Sequence, residues 1–139
     1  MSFERVYTMT DFYDGPRRGV ANYQGRPHFY DSEWQNDSSA DDDAFLLTPI
    51  SEALLELALE DWEIWRRWEV DFHEGRSDSA SHPALPEDRA RHTQLQPILA
   101  AQLVTAPEQA VRVRGVFRTV DVEPSYRGWR PLEVQWCRR

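Results

Sequence analysis

TPISEALLELALEDWEIWRRWEVDFHEG, residues Thr48–Gly75, reads as a helix with both ends written into it. Thr48 supplies an N-cap hydroxyl, and Pro49 takes the first helical position, where a missing N–H costs nothing. Glu52 and Glu56 put negative charge near the positive end of the helix dipole, and Gly75 supplies the stop. The signals predict a helix over 49–74. Plotted at about 100° per residue from Leu54, the residues Leu57, Ala58, Ile64, Trp65, Trp68 and Phe72 form one apolar stripe.

Two acids break that pattern. Asp61 falls inside the stripe, at about 340°, and Glu69 falls at about 60°, between Trp65 and Trp62. A carboxylate among apolar side chains is costly unless it is paired or protonated. The structural reading gives Asp61 a hydrogen bond from an arginine of the sheet or from a tryptophan N–H, so that the acid fixes how the helix docks. The functional reading makes Asp61 and Glu69 a catalytic or ligand-binding pair whose environments set their roles apart. Their separation of two turns, about 12 Å along the axis, is long for two groups acting on one bond, which favours the structural reading. Trp62, Trp65 and Trp68 either all pack in the core or leave one at its edge, in which case Trp62, next to Glu63 on the solvated face, is the candidate interface anchor.

Outward from the helix, the chain turns to short alternating runs. On the N-terminal side, Tyr13-Asp14-Gly15-Pro16 and Gln24-Gly25-Arg26-Pro27 are turn signals that bracket a strand at Gly19–Tyr23, with Thr8–Tyr13 and His28–Ser32 as its neighbours. Residues 31–43 read as an acidic mobile loop, and Ala44–Thr48 as a fourth strand. On the C-terminal side, a second helix is expected over 86–104, kinked or split at Pro97. Val111, Val113 and Phe117 then alternate with Arg112, Arg114 and Arg118, and Leu132, Val134 and Trp136 alternate on a last strand. The expected fold is one α+β domain over 1–139, a small antiparallel sheet made of an N-terminal meander and a C-terminal hairpin, packed on two helices.

The chain has 139 residues and a net charge of −8, and all 16 of its basic residues are arginine. The charge is uneven, about −12 over 31–74 and about +4 over 110–139. That balance disfavours non-specific nucleic-acid binding, which phosphate contacts must drive, and it suits a basic protein partner. No apolar run is long enough to span a membrane, and the N-terminus lacks a signal-peptide pattern, so a cytoplasmic protein is expected. The single cysteine, Cys137, has no partner for an internal disulfide.

The chain carries no Gly-rich phosphate loop, zinc-protease motif, nucleophile elbow or paired Cys-x-x-Cys, and no cofactor is expected. Glu69 and His73 stand one helical turn apart, an acceptable spacing for two metal ligands that His82 and His92 would complete. The same spacing serves a surface Glu–His pair, which is commoner, and no metal is assigned. Tyr13, Asp14, Arg17, Tyr23, His28 and Tyr30 crowd the turn ends of the first meander, either as a shallow ligand groove or as packing. The C-terminal arginines, with Tyr126 and Trp129, are the candidate for RNA contact, and Glu133 is available to pair with them instead.

Elimination and charge together favour a non-catalytic protein–protein interaction domain, for example an immunity- or antitoxin-like binder of a basic partner. Its contact residues would include Trp62, Glu63, Tyr13, Arg17 and Tyr30. The alternative is a small enzyme or ligand binder using Asp61, Glu69 and His73, with His28 joining across the fold. RNA binding through the C-terminal hairpin is third.

Overall fold

In the computed structural model, which describes residues 2–12, 16–33 and 44–138, the strands close into a barrel. The six are β1 (Glu4–Phe12), β2 (Pro16–Tyr23), β3 (Arg26–Ser32), β4 (Ala44–Pro49), β5 (Val111–Thr119) and β6 (Leu132–Arg138). Each is antiparallel to the next, and β1 returns to β6 through Glu4↔Val134 and Arg5↔Glu133. The helices α1 (Glu52–His73) and α2 (Arg89–Gln102) are inserted between β4 and β5, which are themselves neighbours in the barrel.

The open sheet packed on two helices is thereby corrected to a closed six-stranded antiparallel barrel with two helices. Two features favour closure. An open sheet leaves two edges of unpaired backbone groups, which the β1–β6 seam removes. The register of β1 also shifts three times against β2, and such bulges add the bend that a small barrel requires.

The interior is aromatic. Tyr30, Phe45, Phe117 and Trp136 meet in all six pairings, with ring centroids 5.5–6.1 Å apart. Their polar handles are satisfied in place: Tyr30 Oη donates to the Thr8 carbonyl at 2.9 Å, and Trp136 Nε1 donates to the Asn22 carbonyl at 2.9 Å. Burial pushes the Tyr30 phenol far above the usual tyrosine range.

A second apolar cluster joins the barrel's outer face to the helices. Val20 of β2 meets Leu54, Leu55, Ala58 and Ile64 of α1, together with Ala84, Leu95 and Leu99. α1 begins three residues later than its sequence signals suggest. Thr48 and Pro49 stay in β4, opposite Phe29 and His28, and the cap is Ser51, whose Oγ accepts from Leu54 N at 3.1 Å. α2 follows a 3₁₀ turn at Pro86–Asp88 and continues through Pro97 unbroken. Thr93, whose carbonyl loses its partner there, is exposed, so water can substitute. Of the proposed loop at 31–43, residues 31 and 32 belong to β3, and 34–43 lie outside the described residues.

Two bidentate clamps tie α2 and its leading turn to α1. Arg91 holds Glu60 at 2.6 and 2.8 Å, and Arg67 holds Asp88 at 2.9 and 3.0 Å. The hydrogen bonds from these arginines hold both carboxylates below their usual range. A carboxyl group that is more acidic folded than unfolded stabilises the fold above its unfolded pKa, and that stability is lost as pH falls through the folded one. Melting temperature should therefore fall on acidification below the usual carboxylate range. Arg67→Gln should lower it at neutral pH and flatten this acid limb. An acid limb as steep in the variant as in the parent would assign it to other carboxylates.

Candidate functional site

Asp61 meets its partner across the helix pair. Its Oδ1 accepts from His92 Nδ1 at 2.7 Å, and Gln96 Nε2 approaches Oδ2 at a longer 3.4 Å. His92 and Gln96 are one turn apart on α2, so they share a face, and Leu95 and Leu99 bury the helix beside them. The two side chains of the dyad are 19% and 14% exposed for Asp61 and His92. Among the described residues nothing else bonds the His92 ring. With Nδ1–H given to the carboxylate, Nε2 is left as the proton acceptor.

The dyad lines a cleft of about 350 Å³ where barrel and helices part, a volume suited to a small organic molecule. Thr8, Met9 and Thr10 of β1 contribute one side, and Ala58, Asp61, Trp62 and Trp65 of α1 another. His82 and Pro83, Leu99 and Leu103, and Trp129 from the β5–β6 loop complete most of the rest. Trp62 lies against Trp65 at 4.9 Å and 32°, and Trp65 meets Trp129 edge to face at 5.1 Å and 75°. Neither threonine hydroxyl is prepared as a nucleophile. Thr8 Oγ1 accepts from Val20 N at 2.9 Å, replacing a ladder bond at the bulge, and Thr10 Oγ1 turns to the Arg18 carbonyl at 3.4 Å.

Glu69 is not part of this cleft but builds one of its walls. It is 2% exposed, bonded to Arg66, and its two oxygens accept from Trp129 N at 3.1 and 2.9 Å. Gly128 makes this approach possible: it has φ +88°, and a Cβ there would stand 2.3 Å from Glu69 Oε1. The buried acid thus places the indole of the next residue.

The remaining candidates lie apart from the dyad. His73 is exposed at the end of α1, against Phe72. His28 is buried in β3, with Nδ1 2.9 Å from the Arg26 carbonyl and its ring against Tyr23. Tyr30 is 0% exposed in the barrel, and Arg17 is buried at the start of β2, 3.5 Å from Ser32 Oγ. Glu63 is exposed, and Trp62 is half-buried between the cleft and a neighbouring groove. Tyr13 and Asp14 lie outside the described residues. No group of three or more metal-ligating side chains occurs among the described residues. Of the C-terminal arginines, Arg112 pairs with Glu33 at 2.6 Å and Arg118 with Glu133 at 2.5 Å, an internal charge balance.

The sequence places Asp61 in the buried stripe and points to an arginine or an indole N–H as its partner; the partner is His92. The available signal was the phase of α2, where His92, Leu95 and Leu99 follow the spacing of one helix face. Comparison with protein-family models, with curated proteins and with solved structures returns no match for this chain.

Proposed function

We propose that the cleft binds a small organic molecule and that His92, oriented by Asp61, exchanges a proton with it or with an adjacent water. The observation that carries this reading is the 2.7 Å Asp61–His92 contact at the wall of an indole-lined cleft. A carboxylate on Nδ1–H selects the tautomer whose Nε2 lone pair is open, and it stabilises the imidazolium formed when that lone pair takes a proton. With both floor threonines engaged elsewhere, the dyad supports general acid–base chemistry without a covalent intermediate on a hydroxyl. Of the three residues Asp61, Glu69 and His73, this reading keeps only Asp61 in contact with substrate.

Saturation-transfer NMR of the full chain against a fragment set of heterocycles, amines and carboxylic acids tests the reading. Hits are expected that disappear in Trp65→Ala. A hit that is also turned over should lose about 100-fold or more of its rate in His92→Gln while still binding. A set without hits, or hits indifferent to Trp65→Ala, would reject it.

A basic protein partner is the second reading, favoured by one observation on the opposite face of α1. Glu52, Glu56 and Glu63 are exposed, and none of them forms an ion pair among the described residues. Reversing all three to lysine should abolish salt-sensitive capture of a basic protein from native lysate. Capture that survives the reversal would reject this surface.

A further inference from the structure

We infer that the ligand of the Asp61–His92 cleft is an organic cation, an amine or alkylammonium compound. This rests on the proposed reading of the cleft as a ligand site and adds the sign of charge it selects. The chain holds 16 arginines, yet among the described residues none lines the cleft, and the carboxylate of Asp61 is the one formally charged group of the lining besides its histidines.

The absence has a structural cause, because the arginines of both flanking helices are tied off elsewhere. Arg66 follows Trp65 in sequence but is held by Glu69, by the Arg127 carbonyl at 3.0 Å and over the Tyr126 ring at 5.1 Å. Arg67 is clamped to Asp88 and Arg91 to Glu60. Arg89 donates to the Ser81 and Ala84 carbonyls at 2.6 and 3.2 Å. A phosphate or carboxylate ligand would enter this cleft without the fork of donors that normally receives it, and it would face Asp61.

A cation meets the reverse conditions. Trp62, Trp65 and Trp129 supply indole π-systems, whose faces are electronegative and attract ammonium groups most strongly among aromatic side chains. Asp61 adds a full negative charge beside them, in surroundings of lower dielectric than bulk water. The net charge of −8 enriches cations around the molecule as a whole.

Three probes of nearly one shape separate charge from fit: choline, its neutral isostere 3,3-dimethylbutan-1-ol, and the anion 3,3-dimethylbutanoate. Each is titrated into the full chain and followed by tryptophan fluorescence and calorimetry. Choline should bind about tenfold more tightly than the neutral alcohol, with the anion weakest. Asp61→Asn, which keeps the shape of the side chain, should narrow the roughly tenfold gap between choline and the neutral alcohol. Equal affinities, or a preference for the alcohol or the anion, would overturn the cation inference and leave the cleft a ligand site. Binding of none of the three would also overturn it, and the NMR fragment set then judges the ligand site independently.

Discussion

Gly19→Val is expected to cost on the order of 4 kcal/mol or more, enough to leave little folded protein in dilute buffer. A Cβ at Gly19 would stand 2.1 Å from the Thr8 carbonyl oxygen and 2.7 Å from the Tyr30 hydroxyl. The first of these is backbone and cannot rotate away. The bulged β1 carries the Thr8 carbonyl across β2 to the Tyr30 hydroxyl, and only glycine leaves room for that hydrogen bond. The substitution therefore strikes the bulge and the aromatic interior together. Urea denaturation followed by near-ultraviolet circular dichroism checks it. A cooperative transition within about 1 kcal/mol of the parent would show that β1 can move aside without cost, and the closure argument would fail with it.

Glu69→Ala is the second large effect. Removing one partner of a buried ion pair typically costs ~3–5 kcal/mol, because the remaining charge and donors keep their desolvation penalty. Here the stranded groups are Arg66, which retains the Arg127 carbonyl, and the Trp129 N–H, which loses both of its bonds to the carboxylate. For a chain of this size the melting temperature should fall by roughly 10–17 °C. Glu69→Gln, which still offers an oxygen to Trp129 N, should fall between the two. The loss should also weaken cleft ligands, because the loop bearing the Trp129 wall is no longer anchored to α1. Weakened stability with unaltered ligand affinity would mean that Trp129 is held in place by its other contacts.

The candidate site is half legible in the sequence alone. Asp61 stood out because a helix has one period, and an acid inside the apolar stripe violates it whatever lies opposite. Glu69 stood out for the same reason, and its burial follows. Its chemistry does not, since the same anomaly describes a reactive acid and an acid that anchors a loop. Only the position of Gly128 and Trp129 against α1 separates the two. In the sequence His92 is only a distant candidate metal ligand, because helix phase says which face a residue shares and not which helix that face will meet.

The strands show the same division. Alternation of Val111, Val113 and Phe117 with the arginines between them, and the glycine turns of the first meander, are local consequences of a period of two. They located all six strands to within a few residues. That pattern is identical in an open sheet and in a closed barrel. Closure depends on pairing between the two ends of the chain, Glu4 with Val134 and Arg5 with Glu133, and on bulges that shift register at β1. What the chain settles locally is therefore the elements, their inward faces and the anomalous acids, because each follows from backbone periodicity and side-chain polarity within a few residues. The barrel, the Asp61–His92 dyad and, among the described residues, the exclusion of arginine from the cleft were settled only in three dimensions, because each depends on which distant surfaces come into contact.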